Sequence, residues 1–173
     1  MDTNNSKNKV QVKISDEEDF FDLNLCAKEF LDFIDEFQIK FLEKKYFILK
    51  AHYNDILAGI LVAEDKTNKV DSLKKFVPII HLHLIYVNNQ FRKKSIGKIL
   101  LESFILIQKK NGMALINVKI PQKYRDGIKF FLKNKFLVVE KKENDIVLEI
   151  NLWNDYGIRD CQIIEEDFND VFS

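Results

Sequence analysis

A chain of 173 residues, 46% apolar and 31% charged, suits a single domain with one buried core, and no apolar run in it approaches the length that spans a bilayer. Its 27 basic and 27 acidic residues cancel, so no global charge draws it to nucleic acid. Two cysteines, Cys26 and Cys161, are too few and too far apart for a disulfide framework or a zinc site, which points to a reducing, cytoplasmic setting.

Residues 1–9 are polar, lack the apolar stretch of a signal peptide and are expected to be disordered. Val10, Val12 and Ile14 then alternate with Gln11 and Lys13, the period of a half-buried strand. Ser15, followed by Asp16, Glu17 and Glu18, reads as a helix N-cap with an acidic first turn. The helical region behind it places Phe30, Phe33, Ile34, Phe37 and Phe41 on one stripe and Glu29, Asp32, Asp35, Glu36 and Glu43 on the other face. Residues 46–53 and 56–63 read as two strands joined at Asn54-Asp55, a hairpin signal, and 64–75 as a polar connection.

An apolar, β-favouring run from 77 to 87 follows, with Pro78 suited to its start. The next helix, from Ile96 to about Lys110, has Asn111-Gly112 as its stop. Residues 113–120 form another strand, and Pro121 is expected to open a helix whose buried stripe is Ile128, Phe131 and Leu132. Residues 136–140 and 146–152 close a second hairpin around Glu143, Asn144 and Asp145. The tail, 153–173, carries six acidic residues against Arg159 alone, with apolar positions that would pack on the domain or on a second subunit as a homodimer.

Between the 77–87 strand and the helix lies the turn Asn88-Asn89-Gln90-Phe91-Arg92-Lys93-Lys94-Ser95. Strand, basic turn and helix start together make an anion site: the first helical turn leaves N–H groups without partners, and the macrodipole favours negative charge there. Gly97 lets a ligand come close to the backbone, and Arg92, Lys93, Lys94 and Lys98 add positive field. A pyrophosphate suits such a place.

The hexapeptide Arg92-Lys93-Lys94-Ser95-Ile96-Gly97 resembles the Gln/Arg-x-x-Gly-x-Gly/Ala loop of the GNAT (Gcn5-related) N-acetyltransferases, with Ser95 where that family usually has its first glycine. Leu57-Ala58-Gly59, Ile85-Tyr86-Val87 and the segment from Tyr124 to Phe136 are further local likenesses. The order β, helical pair, ββ, β, α, β, α, ββ over residues 10–152 is similar to the family's. The fold class expected is therefore mixed α/β (α+β), a central, mostly antiparallel sheet flanked by helices.

The resemblance implies acetyl-CoA as cosubstrate, held by Arg92, Lys93, Lys94, Ser95, Ile96, Gly97 and Lys98, with the backbone of Ile85, Tyr86 and Val87 pairing with its pantetheine arm where two strands splay. It implies direct transfer of acetyl to a primary amine of a small molecule or protein, without a covalent enzyme intermediate. His81 and His83 alternate on one strand and share a face, with Tyr86 on the other. Imidazole titrates near neutrality, so either histidine suits a general base; both also suit a packed strand. As metal ligands they lack a third partner in the sequence. The family's usual acid, a tyrosine, is matched here by Phe131, which has no proton to give. Tyr124, where the family often has an asparagine touching the cofactor, is carried with His81 and His83 as a catalytic candidate.

Two other functions fit the same residues. Ser95 and Phe131 favour a GNAT-like module that binds acyl-CoA or a partner with little turnover. The basic turn alone also fits an α/β protein binding another phosphorylated ligand.

Overall fold

The computed structural model describes residues 9–15, 43, 46–67 and 77–153. The expected helical region at 16–42, with its acidic face, and the tail from 154 onwards lie outside the described residues, as does most of the polar N-terminal segment.

Among the described residues seven strands form one sheet in the order β1-β2-β3-β4-β5-β7-β6. They are β1 (Val10–Ile14), β2 (Tyr46–Tyr53), β3 (Ile56–Asp65), β4 (Ile79–Val87), β5 (Leu115–Pro121), β6 (Leu137–Lys141) and β7 (Asp145–Asn151). Helix α1 (Ile96–Lys110) connects β4 to β5, and α2 (Arg125–Lys133) connects β5 to β6. β4 and β5 pair in parallel, as a helical crossover requires, and every other neighbouring pair is antiparallel. The class is the expected one. The β2–β3 hairpin turns at Asn54 (φ 49°) and Asp55 (φ 66°), two residue types that tolerate the left-handed region.

Helix α1 holds the centre together. Ile96, Leu100, Leu101 and Phe104 are fully buried against the sheet, each contributing about 1.5–3 kcal/mol by leaving water. The helix can lie this close because β3 carries Gly59. A Cβ there would stand 2.9 Å from the Tyr86 carbonyl oxygen and 3.1 Å from Leu100. Helix α2 buries Ile128 and Phe131 beside Phe136, and Lys135 ends it in the left-handed region (φ 69°).

Several boundaries differ from the sequence expectation, the later strands by one or two residues, and three differences have a local cause or a consequence for the site. β4 begins at Ile79, not 77, because Pro78 lacks an N–H and instead lends its carbonyl to Ala114 (2.9 Å). β3 runs on through Glu64 and Asp65, which pair with His81 and Ile80. Pro121 does not open a helix: it is the last residue of β5, opposite Asp145, and α2 starts four residues later after a turn closed by Tyr124 N–H and the Pro121 carbonyl (3.0 Å).

A β-bulge decides which face the β4 side chains take. Val62 pairs with Leu84 and Ala63 with Leu82, leaving His83 as the extra residue. Before the bulge, Ile80 and Leu82 face α1; after it, Leu84 and Tyr86 pack instead with Ile48, Ile60 and Val62 on the opposite face. Tyr86 therefore shares the histidines' side of the sheet. Uninterrupted alternation places it wrongly because it counts no extra residue.

Candidate functional site

The turn after β4 is built by short-range bonds. Asn88 ties back to the Ala58 carbonyl (2.9 Å), and its side chain accepts the Gln90 N–H (3.2 Å), closing a short 3-10 turn at Asn89–Phe91. Arg92 Nε donates to the Val87 carbonyl (3.1 Å), pinning the loop to the end of the strand. Lys93 (φ 63°) and Ser95 (φ 60°) then both take the left-handed conformation. Ser95 does this without the help of a glycine, at a cost of about 1–2 kcal/mol.

This strained path leads directly into the helix start. The first bond of α1 runs from Ile99 N–H to the Ser95 carbonyl (3.0 Å), and the amides of residues 93–98 donate to no partner among the described residues. Beneath them is a cleft of about 320 Å³ lined by Val87, Phe91, Arg92, Lys93, Ser95, Ile96, Gly97, Lys98 and Phe130. A row of unpaired N–H groups at a helix start, with cationic side chains around it, is an anion cradle. Gly97 faces that space; a Cβ would meet Val87 at 3.7 Å and Phe130 at 3.8 Å, ordinary contacts.

Beside the cleft the sheet opens. The β4–β5 ladder runs from Ile79↔Leu115 to Leu82↔Val118 and stops, although β4 continues to Val87 and β5 to Pro121. Residues 83–87 lie along this gap.

The two histidines sit at the start of the gap. His81 Nδ1 is hydrogen-bonded to Asn117 Oδ1 on β5, and His83 Nε2 to Glu64 Oε2 on β3 (2.9 Å). Their rings meet edge to face at 4.7 Å, and Tyr46 meets His83 in the same manner at 5.6 Å. Glu64 is 2% exposed and also receives Lys66 Nζ at 2.7 Å. Burial holds His81 below its ordinary pKa; the Asn117 bond opposes this, while Lys66 and Lys119 lower it and Glu64 raises it. Burial lowers His83 as well, against the Glu64 hydrogen bond that raises it. The net effect on both rings favours the neutral form.

By sequence, the chain matches no protein-family model, and it matches no curated protein. Solved structures do match. NAA60 of Arabidopsis thaliana, in complex with acetyl-CoA, superposes with a TM-score of 0.65 at 12% identity, over 83% of this chain and 98% of that one. The PaiA N-acetyltransferase of Thermoplasma acidophilum, in complex with coenzyme A, gives 0.61 at 17% identity, over 83% and 99%. An acetyltransferase of the GNAT family from Streptococcus pneumoniae gives 0.64 at 15% identity, over 83% and 99%. The fold is the GNAT fold.

Within this GNAT fold the structure brings Arg92, Lys93, Ser95, Ile96, Gly97 and Lys98 together with Val87 around the cleft. Lys94 does not line it; its ammonium lies 4.9 Å from the centre of the Tyr53 ring, a cation–π contact. Ile85 packs into the main core and Tyr86 into the opposite cluster, and both lie in the part of β4 beyond its last pair with β5. Tyr124 is 42% exposed, precedes α2 and lines neither the cleft nor the histidine cluster. Phe131 is 6% exposed in the core, edge to face with Phe130 and Phe136; it is Phe130 whose ring reaches the cleft.

Sequence reasoning missed Glu64, Asn117 and Phe130. Glu64 was hidden as the first residue of an apparent polar connection. Its signal is position: two residues beyond the core residue Val62 on an alternating strand, it must share that residue's buried face.

Proposed function

We propose that the chain is an N-acetyltransferase that uses acetyl-CoA and acetylates an amine. The observation carrying this is the row of amides at 93–98, without partners among the described residues, over a cleft at the start of a helix. The fit to the coenzyme is specific in kind. A pyrophosphate needs several converging N–H donors and close backbone approach, which Ser95, Ile96, Gly97 and Lys98 give, and balancing charge, which Arg92, Lys93 and Lys98 give. Phe130 and Val87 supply apolar walls for the arm. The pantetheine amides would find strand-like partners along residues 85–87, where β4 runs beside the gap.

Acetyl-CoA supplies an activated acyl group whose thiolate leaves readily. The chain's part is to orient it, keep water away and accept the proton that an ammonium must lose before it attacks. His81 and His83, neutral and partly buried, are the candidates for that last role. GNAT-fold structures holding acetyl-CoA or coenzyme A support the reading. Calorimetry with acetyl-CoA, followed by assay of thiol release over a panel of peptide and small-molecule amines, tests it. Binding with release establishes a transferase; no binding refutes it.

A second reading, a GNAT-fold module that binds acyl-CoA without efficient turnover, is favoured by Phe131. It has no hydroxyl, it sits in the core, and Tyr124 does not replace it at the gap. Binding without thiol release on any amine supports this reading.

A further inference from the structure

Glu64 is a carboxylate in the wrong place for a surface residue. It sits within the sheet, 2% exposed, on the face away from α1, and one of its oxygens contacts both His83 Nε2 (2.9 Å) and Lys66 Nζ (2.7 Å). Burying an ionised carboxylate is costly unless it is paired, so a chain that keeps one there gains something from it. His83, its partner, is also the extra residue of the β4 bulge and the first residue past the last β4–β5 pair. Bulges re-aim side chains. The acid, the bulge and the opening of the sheet all converge on one imidazole.

With Glu64 ionised, as its contact with the Lys66 ammonium favours, the carboxylate only accepts, and the bond calls for the hydrogen on Nε2 of His83 and the lone pair on Nδ1. His81 is held differently, by a neutral amide oxygen on Asn117. If each ring took up a proton, only His83 would have a carboxylate in direct contact to stabilise the new charge. The other groups around it are His81 on β4, Tyr46 on β2 and Lys66 beyond β3, with Lys119 on β5 facing His81.

Building on the transferase reading, we propose that Glu64 is a positioning residue that makes His83, rather than His81, the proton acceptor for the incoming amine. The step balances. The substrate ammonium gives one proton to Nδ1 of His83 and becomes a nucleophile. The C–N bond forms as the thioester C–S bond breaks, and the second proton leaving nitrogen neutralises the thiolate. The proton on His83 then passes to water.

Two measurements on the full chain test this. Imidazole nitrogen NMR of the wild-type protein at pH 7.5 is expected to show His83 as the Nε2–H tautomer; the Nδ1–H tautomer overturns the proposal. The second is the pH profile of acetyl transfer from acetyl-CoA to a short peptide with a free α-amine and a lysine. Glu64→Gln, which keeps shape and loses charge, is expected to lower kcat at least about tenfold and move the acid limb of the profile to lower pH. The KM for acetyl-CoA is expected to stay within about twofold, since the cradle is untouched. An unshifted limb with full kcat overturns the role of Glu64 while leaving the transferase standing. Failure of the wild type to bind acetyl-CoA overturns both.

Discussion

The cleft at the start of α1 and the histidine cluster at the start of the β4–β5 gap are made in opposite ways. The cleft is a local object: eight consecutive residues, from Asn88 to Ser95, lead into the helix start, and the groups left without partners there, among the described residues, are backbone N–H. The cluster is assembled from a distance. Glu64 comes from β3, His81 and His83 from β4, and Asn117 from β5, and its essential groups are side chains. Backbone donors depend on the path of the chain more than on side-chain identity, and here Ser95 holds that path in the left-handed region. Side-chain clusters have no such tolerance, and a change at any one corner leaves a buried partner exposed to its own desolvation cost.

Substitutions can separate the two. The largest effect is expected at Gly59→Ala, where a Cβ would press on the Tyr86 carbonyl oxygen and on Leu100. Strand β3, strand β4 and α1 meet there, so both regions lose together, with about 3 kcal/mol of stability lost in urea denaturation. Gly97→Ala is expected to divide them. Its Cβ fits at ordinary distances, so stability is kept, but it projects toward the cleft, and affinity for acetyl-CoA falls about tenfold by calorimetry, or about 1.4 kcal/mol. The tautomer of His83 stays as it was. Ser95→Gly works the other way, relieving the left-handed strain and raising stability by about 0.5–1 kcal/mol, read as a higher Tm.

The smallest effect is on pH. Burial lowers the folded-state pKa of both histidines, so the unfolded chain binds more protons as pH falls through the ordinary histidine range. Stability is therefore full above that range and declines below it. The double variant His81→Asn, His83→Gln is expected to flatten this slope in denaturation followed from pH 7.5 to about 5.

That same contrast explains what could be read from the sequence. Strand, basic turn and helix are contiguous, so their order and the anion-binding logic of residues 92–98 are legible without coordinates. The hairpin at Asn54-Asp55 is legible for the same reason. The cluster is not, because no local pattern links Glu64 to His83 across 19 positions, or His81 to Asn117 across 36. The bulge at His83 defeats simple alternation, which assigns Tyr86 to the wrong face, and Pro121 at a strand end carries the same local signature as Pro at a helix start. Phe130 and Phe131 are adjacent phenylalanines, and only packing decides which of them turns to the cleft.

The four-residue ladder between β4 and β5 is the seam of the molecule. On one side of it stand four of the described strands, on the other three, and each group is held together by antiparallel ladders alone. A bound molecule with amides of its own, laid into the opening, would act as a surrogate strand and extend the stitching. Occupancy would then govern how far the two halves breathe independently of each other.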